Sequence, residues 1–390
     1  MYDQRIHDAD IKTPAFVLDV EEISYALDVI EEAAPRDTIG LLYSLKACSM
    51  FDALELLAER TVGLACSSLF EAKLAGALLA GRGAVHLTTP GLRPDEIDDV
   101  AEACDYVVAN SLPQWARYRQ NLAGRTKCGL RVNPQLSFVS DERYDPCRRH
   151  SKLGVPLSQL VDVVQRGDGI LDALTGLHLH TNCDSDDLRP LLKTVQHVDA
   201  HLGNFLERLE WVNLGGGYLF NETEDFAPLT EATELLGKYG VEVFIEPGAD
   251  LVRQAGQLVS TVIDLFHADG KTVAILDTSV NHMSEVIEFN YRPPVSGDTA
   301  EARHKYILAG CTCLAGDVFG EYAFAEPLEI GSRVVFQEQG AYSAVKWHWF
   351  NGVNLPTVYL TESDGQLVEK QRFTYEDFAA RCGVDINATA

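Results

Sequence analysis

Several features are scarce in this chain of 390 residues, and each scarcity removes a class of protein. No apolar run reaches the ~18 residues that a membrane-spanning helix requires, so a soluble protein is expected. The first ten residues, MYDQRIHDAD, do not resemble a secretory leader. The 9 cysteines lack a framework spacing, which predicts reduced thiols and a cytoplasmic setting. Basic residues are few: 32 against 58 acidic ones, a net charge of −26. Such a charge repels nucleic acid and anionic membrane surfaces and attracts polycations, although solubility alone would also explain it. No internal repeat or low-complexity stretch occurs, and only the terminal NATA reads as a loose tail.

What is present is core-forming material. Hydrophobic residues make up 46% of the chain, enough for one large barrel and a second domain. From Thr13 to about Gly248 short apolar runs alternate with longer segments of helical spacing, as parallel strands with crossover helices require. The strand candidates are AFVLD, LLYSLKA, VGLACSS, AVHLTTP, YVVANS, CGLRVNP, LTGLHLHTN, WVNLGGGY and VEVFIEPG. That is one run more than an eight-stranded barrel needs, and the first is placed at the junction. EEISYALDVIEEA, SLFEAKLAGALLA and DDLRPLLKTVQHVDAHLGNFLERL carry helical patterns. The expected class is α/β, a (β/α)8 TIM-like barrel over residues 13–250, with an open doubly wound sheet as the alternative. After Ala249 strand-like runs are separated by turns, which predicts a C-terminal all-β domain over residues 251–390. A contribution to it from residues 1–12 is left open.

In a parallel barrel the chemistry sits at the C-terminal ends of the strands, where Lys46, Ser67, Arg131, His180, Gly215 to Gly217 and Glu246 fall. Lys46 closes IGLLYSLKA. Burial would lower its pKa and make a free amine, the form that attacks carbonyls, accessible near neutral pH. The competing reading is a strand-end lysine reaching out to solvent. The run LGGGYLF removes three Cβ atoms directly after a strand, which lets backbone amides approach a small phosphate. It lacks both the GxGxxG spacing of a dinucleotide site and the Lys-Ser/Thr ending of a nucleotide-triphosphate loop.

His178 and His180 alternate on one strand face, either as metal ligands or with one imidazole stacked on an aromatic cofactor and the other packed below. Glu246 ends its strand at a depth where a carboxylate needs a cationic partner, such as a protonated pyridine nitrogen or an arginine. In the β domain, GCTCLAGDVFGE gathers Cys311, Cys313, Asp317 and Glu321. No second thiol pair stands at zinc spacing, so an active-site loop with a thiol acid is preferred and no metal is expected. QGAYSAVKWHWFNG supplies Tyr342 beside an aromatic cluster.

In this order, YSLKA, GLRVNP, GLHLHTN, LGGGY, EPG, CLAGD and GAYS resemble the fold type III pyridoxal-phosphate enzymes, the alanine racemase and ornithine decarboxylase superfamily. The likeness covers nearly the whole chain. The longer strings YSLKACSMFDALEL, SSLFEAKL, LDTSVNHM, CTCLAGDVFGEYAF and KWHWFNGVNLP are similar to the carboxynorspermidine decarboxylase family of polyamine biosynthesis, which also accepts carboxyspermidine.

The resemblance implies pyridoxal 5'-phosphate as cofactor, with Lys46 its covalent attachment point and His180 stacked on the ring. It implies Glu246 as partner of the ring nitrogen, Arg131 as an organiser beside it, and Gly215, Gly216, Gly217, Gly248 and Tyr342 around the phosphate. It makes Cys313 the proton donor to the reacting carbon, across the interface of a homodimer with shared active sites, with Asp317 as its neighbour and Glu71 near the cofactor. The implied partner is a small polyamine-like substrate, with no nucleic acid and no membrane.

Two departures stand out. Ala249 follows EPG where ornithine and diaminopimelate decarboxylases usually carry a phosphate-holding arginine, and Leu314 follows the loop cysteine where they carry an acid. Asp277, His282 and Glu285 in LDTSVNHMSE, together with Asp317, are therefore the candidates for the distal amines. The rival readings are a decarboxylase of another diamino acid or of a siderophore-type precursor, a metal-dependent barrel hydrolase using His178 and His180, and a non-catalytic pyridoxal-phosphate carrier.

Overall fold

The computed structural model describes residue 6 and residues 9–34, 37–362 and 364–384. The NATA tail, and residues 1–5, 7 and 8 of the N-terminal segment, lie outside the described residues. Two compact units are present: Tyr25–Lys46 with Leu54–Asp250, and the described residues of Met1–Ser24, Ala47–Ala53 and Leu251–Ala390.

The first unit contains strands β2 (Gly40–Ser44), β3 (Gly63–Cys66), β4 (Ala84–Thr88), β5 (Tyr106–Ala109) and β6 (Lys127–Asn133). The two-residue β7 (Val155–Pro156) pairs only with β6; β8 (Gly176–Leu179), β9 (Trp211–Asn213) and β10 (Glu242–Ile245) follow. Every strand-to-strand pairing is parallel, β5 joins β6, and β10 joins β2. Eight strands thus close into a barrel, and the open doubly wound alternative falls. The nearly continuous apolar runs suit strands that are covered on both faces. Local chemistry starts the helices between them: the hydroxyls of Ser68 and Ser111 accept from the amides of Glu71 and Gln114, each at 3.2 Å, and cap Leu69–Leu79 and Leu112–Leu122.

An aromatic layer fills the lower barrel. Leu42, Ala65, Tyr106, Trp211 and Phe244 pack as one cluster, with His86 stacked on Tyr106 at 3.8 Å between ring centroids. Trp211 explains two glycines, one on the adjacent strand and one on the strand beyond it: a Cβ on Gly176 would lie 2.1 Å from the indole, and one on Gly129 2.4 Å from it. Burying an indole this completely contributes roughly 4–6 kcal/mol. Side chains alternate along a strand, so two residues further on the same interior face presents Ser44, Thr88, Arg131, His178, Asn213 and Glu246. The barrel is closed below by rings and polar above.

The second unit is built on β11 (Gly256–Ala268), a strand of 13 residues. Its first half pairs with β1 (Ala15–Asp19) and with β15 (Arg333–Phe336), and its second half with β12 (Lys271–Leu276). The order runs β14 (Val318–Phe324), β13 (His304–Ala309), β12, β11, β1, β16 (Thr357–Thr361), β17 (Leu367–Gln371). The β1–β16 and β12–β13 pairs are parallel, so the sheet is mixed. Short helices at Glu285–Glu288 and Tyr375–Arg381 accompany it, so the unit is not purely β. The placement of β1 corrects the expectation of a junction strand. All five of its residues are buried, and it pairs on both edges within this second sheet.

Candidate active site

Glu246, one residue beyond β10, has both oxygens engaged inside the barrel. His178 Nε2 donates to Oε2 at 3.2 Å, and Asn213 Nδ2 donates to Oε1 at 2.8 Å. Burial opposes ionisation of Glu246, yet the hydrogen bond donated by His178 and the nearby Lys46 amine outweigh it and hold the carboxyl below the usual carboxylate range. Burial lowers the His178 pKa, so its ring is neutral and carries its proton on Nε2 towards Glu246. Its Nδ1 is buried without a hydrogen-bond partner among the described residues. A carboxylate accepting one bond at each oxygen keeps lone pairs for a further cationic donor.

His180 is fixed differently. The Gly216 amide donates to its Nδ1 at 3.1 Å, which leaves its proton on Nε2. Burial, with Lys46 and Arg131 nearby, pushes its pKa well below the ordinary imidazole value. The rings of His178 and His180 are nearly parallel, 9° apart with centroids 6.4 Å from each other. With the Gly216 amide on Nδ1 and the proton on Nε2, the His180 ring has no lone pair left for a metal, so the two imidazoles do not form a metal pair. Among the described residues no group of three or more His, Cys, Asp or Glu side chains is placed to hold a metal ion.

The glycine run has a tighter role than its sequence suggests. Gly215 and Gly217 adopt φ of +71° and +90°, in the left-handed range where a side chain is strained. A Cβ on Gly216 would lie 2.2 Å from the Glu246 carbonyl oxygen, and one on Gly217 2.1 Å from that of Asn182. The Gly215 amide donates to Asn213 Oδ1 at 2.8 Å and the Gly216 amide to His180. This corrects the picture of three amides facing an anion: two of them brace the carboxylate and the imidazole. The Gly217 amide has no acceptor among the described residues, and Gly248 is buried directly after the EP turn.

Lys46 lies two residues beyond β2 and projects into a cavity of about 390 Å³ that Arg131, His178, His180, Cys183 and Glu246 also line. Its side chain is exposed to this cavity, while the protein packed around the cavity wall still strips it of much of its water. Burial lowers its pKa more than the Glu246 carboxylate raises it, and Arg131 adds to the lowering. It forms no salt bridge among the described residues. Arg131 is buried, and desolvation brings its pKa down to about 10, still cationic at neutral pH. Ser67 lines the cavity, and its amide donates to Glu71 Oε2 at 2.6 Å. Glu71 therefore braces the start of its helix, while its charge still reaches Lys46.

The remaining candidates belong to the sheet unit. Cys313 is exposed, and its amide donates to Asn351 Oδ1 at 2.9 Å. Asp317 is buried and ties the loop together. Its Oδ1 accepts from the Val280 amide at 2.8 Å, and its Oδ2 from the Thr312 amide at 3.1 Å and the Thr312 hydroxyl. Asp277 is likewise engaged: Oδ1 accepts from Ser260 and the Thr261 amide, and Oδ2 from Thr13. His282 is buried, its Nδ1 lies 2.9 Å from the Thr278 hydroxyl, and burial brings its pKa down to about 4. Neither aspartate is free for a substrate amine, and a neutral buried imidazole offers an amine no charge; both facts revise the expected amine-holding set. Glu285 is partly exposed and lies 3.3 Å from Lys346. Tyr342 adopts φ of +53°, and its amide donates to the Ala47 carbonyl at 2.8 Å.

Asn213 is the residue that sequence reasoning missed. It links Glu246 to the glycine run, and only the pairing of its strand beside His178 reveals it.

Comparison with known proteins bears on this geometry. The sequence model of the family described as pyridoxal-dependent decarboxylase, C-terminal sheet domain, matches residues 15–340. Carboxyaminopropylagmatine decarboxylase of Synechocystis sp. is 34% identical over 389 residues, covering 96% of each chain. Carboxynorspermidine/carboxyspermidine decarboxylase of Herminiimonas arsenicoxydans is 32% identical, covering 95% of this chain and 99% of that one. The crystal structure of carboxynorspermidine decarboxylase from Campylobacter jejuni, complexed with norspermidine, superposes with a TM-score of 0.85 at 30% identity, covering 95% of this chain and 100% of that one. A lysine without an ion-pair partner, a carboxylate with spare lone pairs and a glycine turn without room for side chains fit pyridoxal 5'-phosphate, the cofactor of this family. The chain belongs to the pyridoxal-dependent decarboxylase family and is a pyridoxal-phosphate-dependent carboxy-lyase.

Proposed function

We propose that this enzyme decarboxylates carboxynorspermidine and carboxyspermidine, giving norspermidine and spermidine in polyamine biosynthesis. The observation that carries this reading is the nearly full-length likeness to the Campylobacter jejuni enzyme, whose structure is complexed with norspermidine. A relative from that organism carrying both substrates in its name is 33% identical over 389 residues. When bound, pyridoxal phosphate supplies an electron sink for the pair left behind as carbon dioxide departs.

The chain's own residues take the following parts. Lys46 would hold the cofactor through its amine. Glu246 stays ionised and would hold a proton on the ring nitrogen, with His178 and Asn213 holding its carboxylate in place. His180 would pack beside the cofactor ring, and Arg131 sets the charge around Glu246. Gly217 and Gly248 offer backbone to the phosphate, braced by Gly215 and Gly216, with Tyr342 nearby. Cys313 delivers the proton that replaces the lost carboxylate. Asp317 shapes its loop, and Glu285 is the remaining acidic group for a distal amine. The working form is a cytoplasmic homodimer with shared active sites.

A second reading is favoured by one observation: the Synechocystis relative that acts on carboxyaminopropylagmatine is 34% identical over 96% of both chains. Its substrate would present a guanidinium where a polyamine presents an ammonium. Incubation of the purified enzyme with each compound, with product identified by chromatography, separates the two. Norspermidine or spermidine formed with carbon dioxide supports the first reading. Turnover of carboxyaminopropylagmatine alone overturns it.

A further inference from the structure

We propose that Arg148 and Lys152 form a cationic mouth that steers the phosphate-bearing cofactor into the barrel. The chain carries a net charge of −26, which at long range repels a dianion. The barrel cavity runs against that balance: Arg131, Arg143, Arg148 and Lys152 line it with Lys46, against Glu246 and Asp145.

Most of these charges have local counterparts. Arg143 pairs with Asp141 at 2.6 Å, and Arg131 interacts with the charge of Glu246. Asp145 is buried and accepts from the Cys147 amide at 2.8 Å and from the Ser137 hydroxyl. Arg148 and Lys152 are exposed and form no salt bridge among the described residues. They are the surplus positive charge at the opening.

The connection that carries them is held in shape. The Ser151 hydroxyl donates to the Pro146 carbonyl at 2.6 Å, and Asn110 Nδ2 donates to the Lys152 carbonyl at 2.9 Å. The Gly154 amide returns a bond to Asn110 Oδ1 at 2.9 Å, so the segment is pinned just beyond β5. Exposed cations at an opening act on approach rather than on the reacting atoms. They raise the local concentration of an anion over about one Debye length, ~10 Å at 0.1 M salt. Association of the cofactor should therefore respond to them, while kcat of the loaded enzyme at saturating substrate does not.

The test measures uptake by the cofactor-free protein in stopped flow, comparing pyridoxal 5'-phosphate with pyridoxal, which lacks the phosphate. Arg148→Gln with Lys152→Gln should slow association of the phosphate ester about 3- to 30-fold at low ionic strength. The difference should vanish at high salt, and uptake of pyridoxal should not change. Arg148→Lys with Lys152→Arg should keep the wild-type rate. A control removes the same charge from two exposed pairs elsewhere on the barrel, Lys73 with Asp99 and Arg125 with Asp98, through Lys73→Gln with Arg125→Gln. This control should associate at the wild-type rate. The proposal is overturned by equal rates for the first variant and wild type, by equal slowing of pyridoxal, or by equal slowing in the control.

Discussion

His178 donates its Nε2 proton to Glu246 Oε2 at 3.2 Å inside the barrel, and the donor is itself kept neutral by burial. A neutral donor steadies the carboxylate without cancelling its charge. Glu246 therefore remains an anion able to face a protonated ring nitrogen, which a tightly paired arginine would have prevented.

Replacing that carboxylate tests the arrangement. In Glu246→Gln the amide oxygen can accept from Asn213 Nδ2, but the amide NH2 then faces His178 Nε2, which accepts it only by moving the imidazole proton to the buried, unpartnered Nδ1. The variant should melt lower by about 1–3 kcal/mol of stability, and its kcat should fall by on the order of 10²- to 10³-fold because the charge opposite the electron sink is gone. Calorimetry and steady-state assay read the two effects separately.

The ring layer below makes a prediction about folding alone. A methyl group at Gly176 would collide with the Trp211 indole at 2.1 Å. Gly176→Ala should lose about 1–3 kcal/mol in urea titration, as overpacked cores do, whereas Gly237→Ala, where a Cβ meets nothing within 4 Å, should not.

Acid sensitivity follows from His86. Burial brings its pKa down to about 3, and its Nε2 has no hydrogen-bond partner among the described residues. The unfolded chain binds this proton near pH 6.5 and the folded chain does not. Stability from this group is therefore complete above about pH 6.5 and declines as pH falls towards the folded value, by about 1.4 kcal/mol per pH unit. His86→Phe keeps a ring on Tyr106 and removes the titration. Urea unfolding between pH 6.5 and 4.5 should show a shallower slope in the variant than in the parent.

Cys313 separates binding from proton delivery. Cys313→Ala should retain the visible absorbance of bound cofactor while kcat falls by about 10²- to 10⁴-fold, the usual worth of a positioned proton donor. Asn351→Ala removes the side chain that holds the Cys313 amide and should cost less. Full activity in Cys313→Ala would reassign the donor.

Much of this was legible in the residues. Runs such as YVVANS and VGLACSS announced parallel strands because each opens on a continuous apolar stretch and ends in small or polar residues, and strand ends located Lys46, His180 and Glu246. Two things were not legible. The partners of a carboxylate depend on which strands become neighbours, so Asn213 and His178 could not be joined to Glu246 from spacing in the chain. Likewise the acidic residues of the second unit look equivalent in LDTSVNHMSE. Only sheet pairing brings Thr13 and Ser260 onto Asp277 and leaves Glu285 facing Lys346. The placement of β1 had the same cause, since its partner β16 lies more than three hundred residues further along the chain.

The most direct measurement is borohydride reduction of the holoenzyme followed by peptide mapping. Lys46 and Lys152 line the same cavity, so the experiment has a real alternative. The phosphopyridoxyl mass should appear on the peptide containing Lys46, and Lys46→Ala should lose both that mass and the visible absorbance, with kcat down by at least ~10³-fold. The mass on Lys152, or unchanged colour and activity in Lys46→Ala, would contradict the assignment.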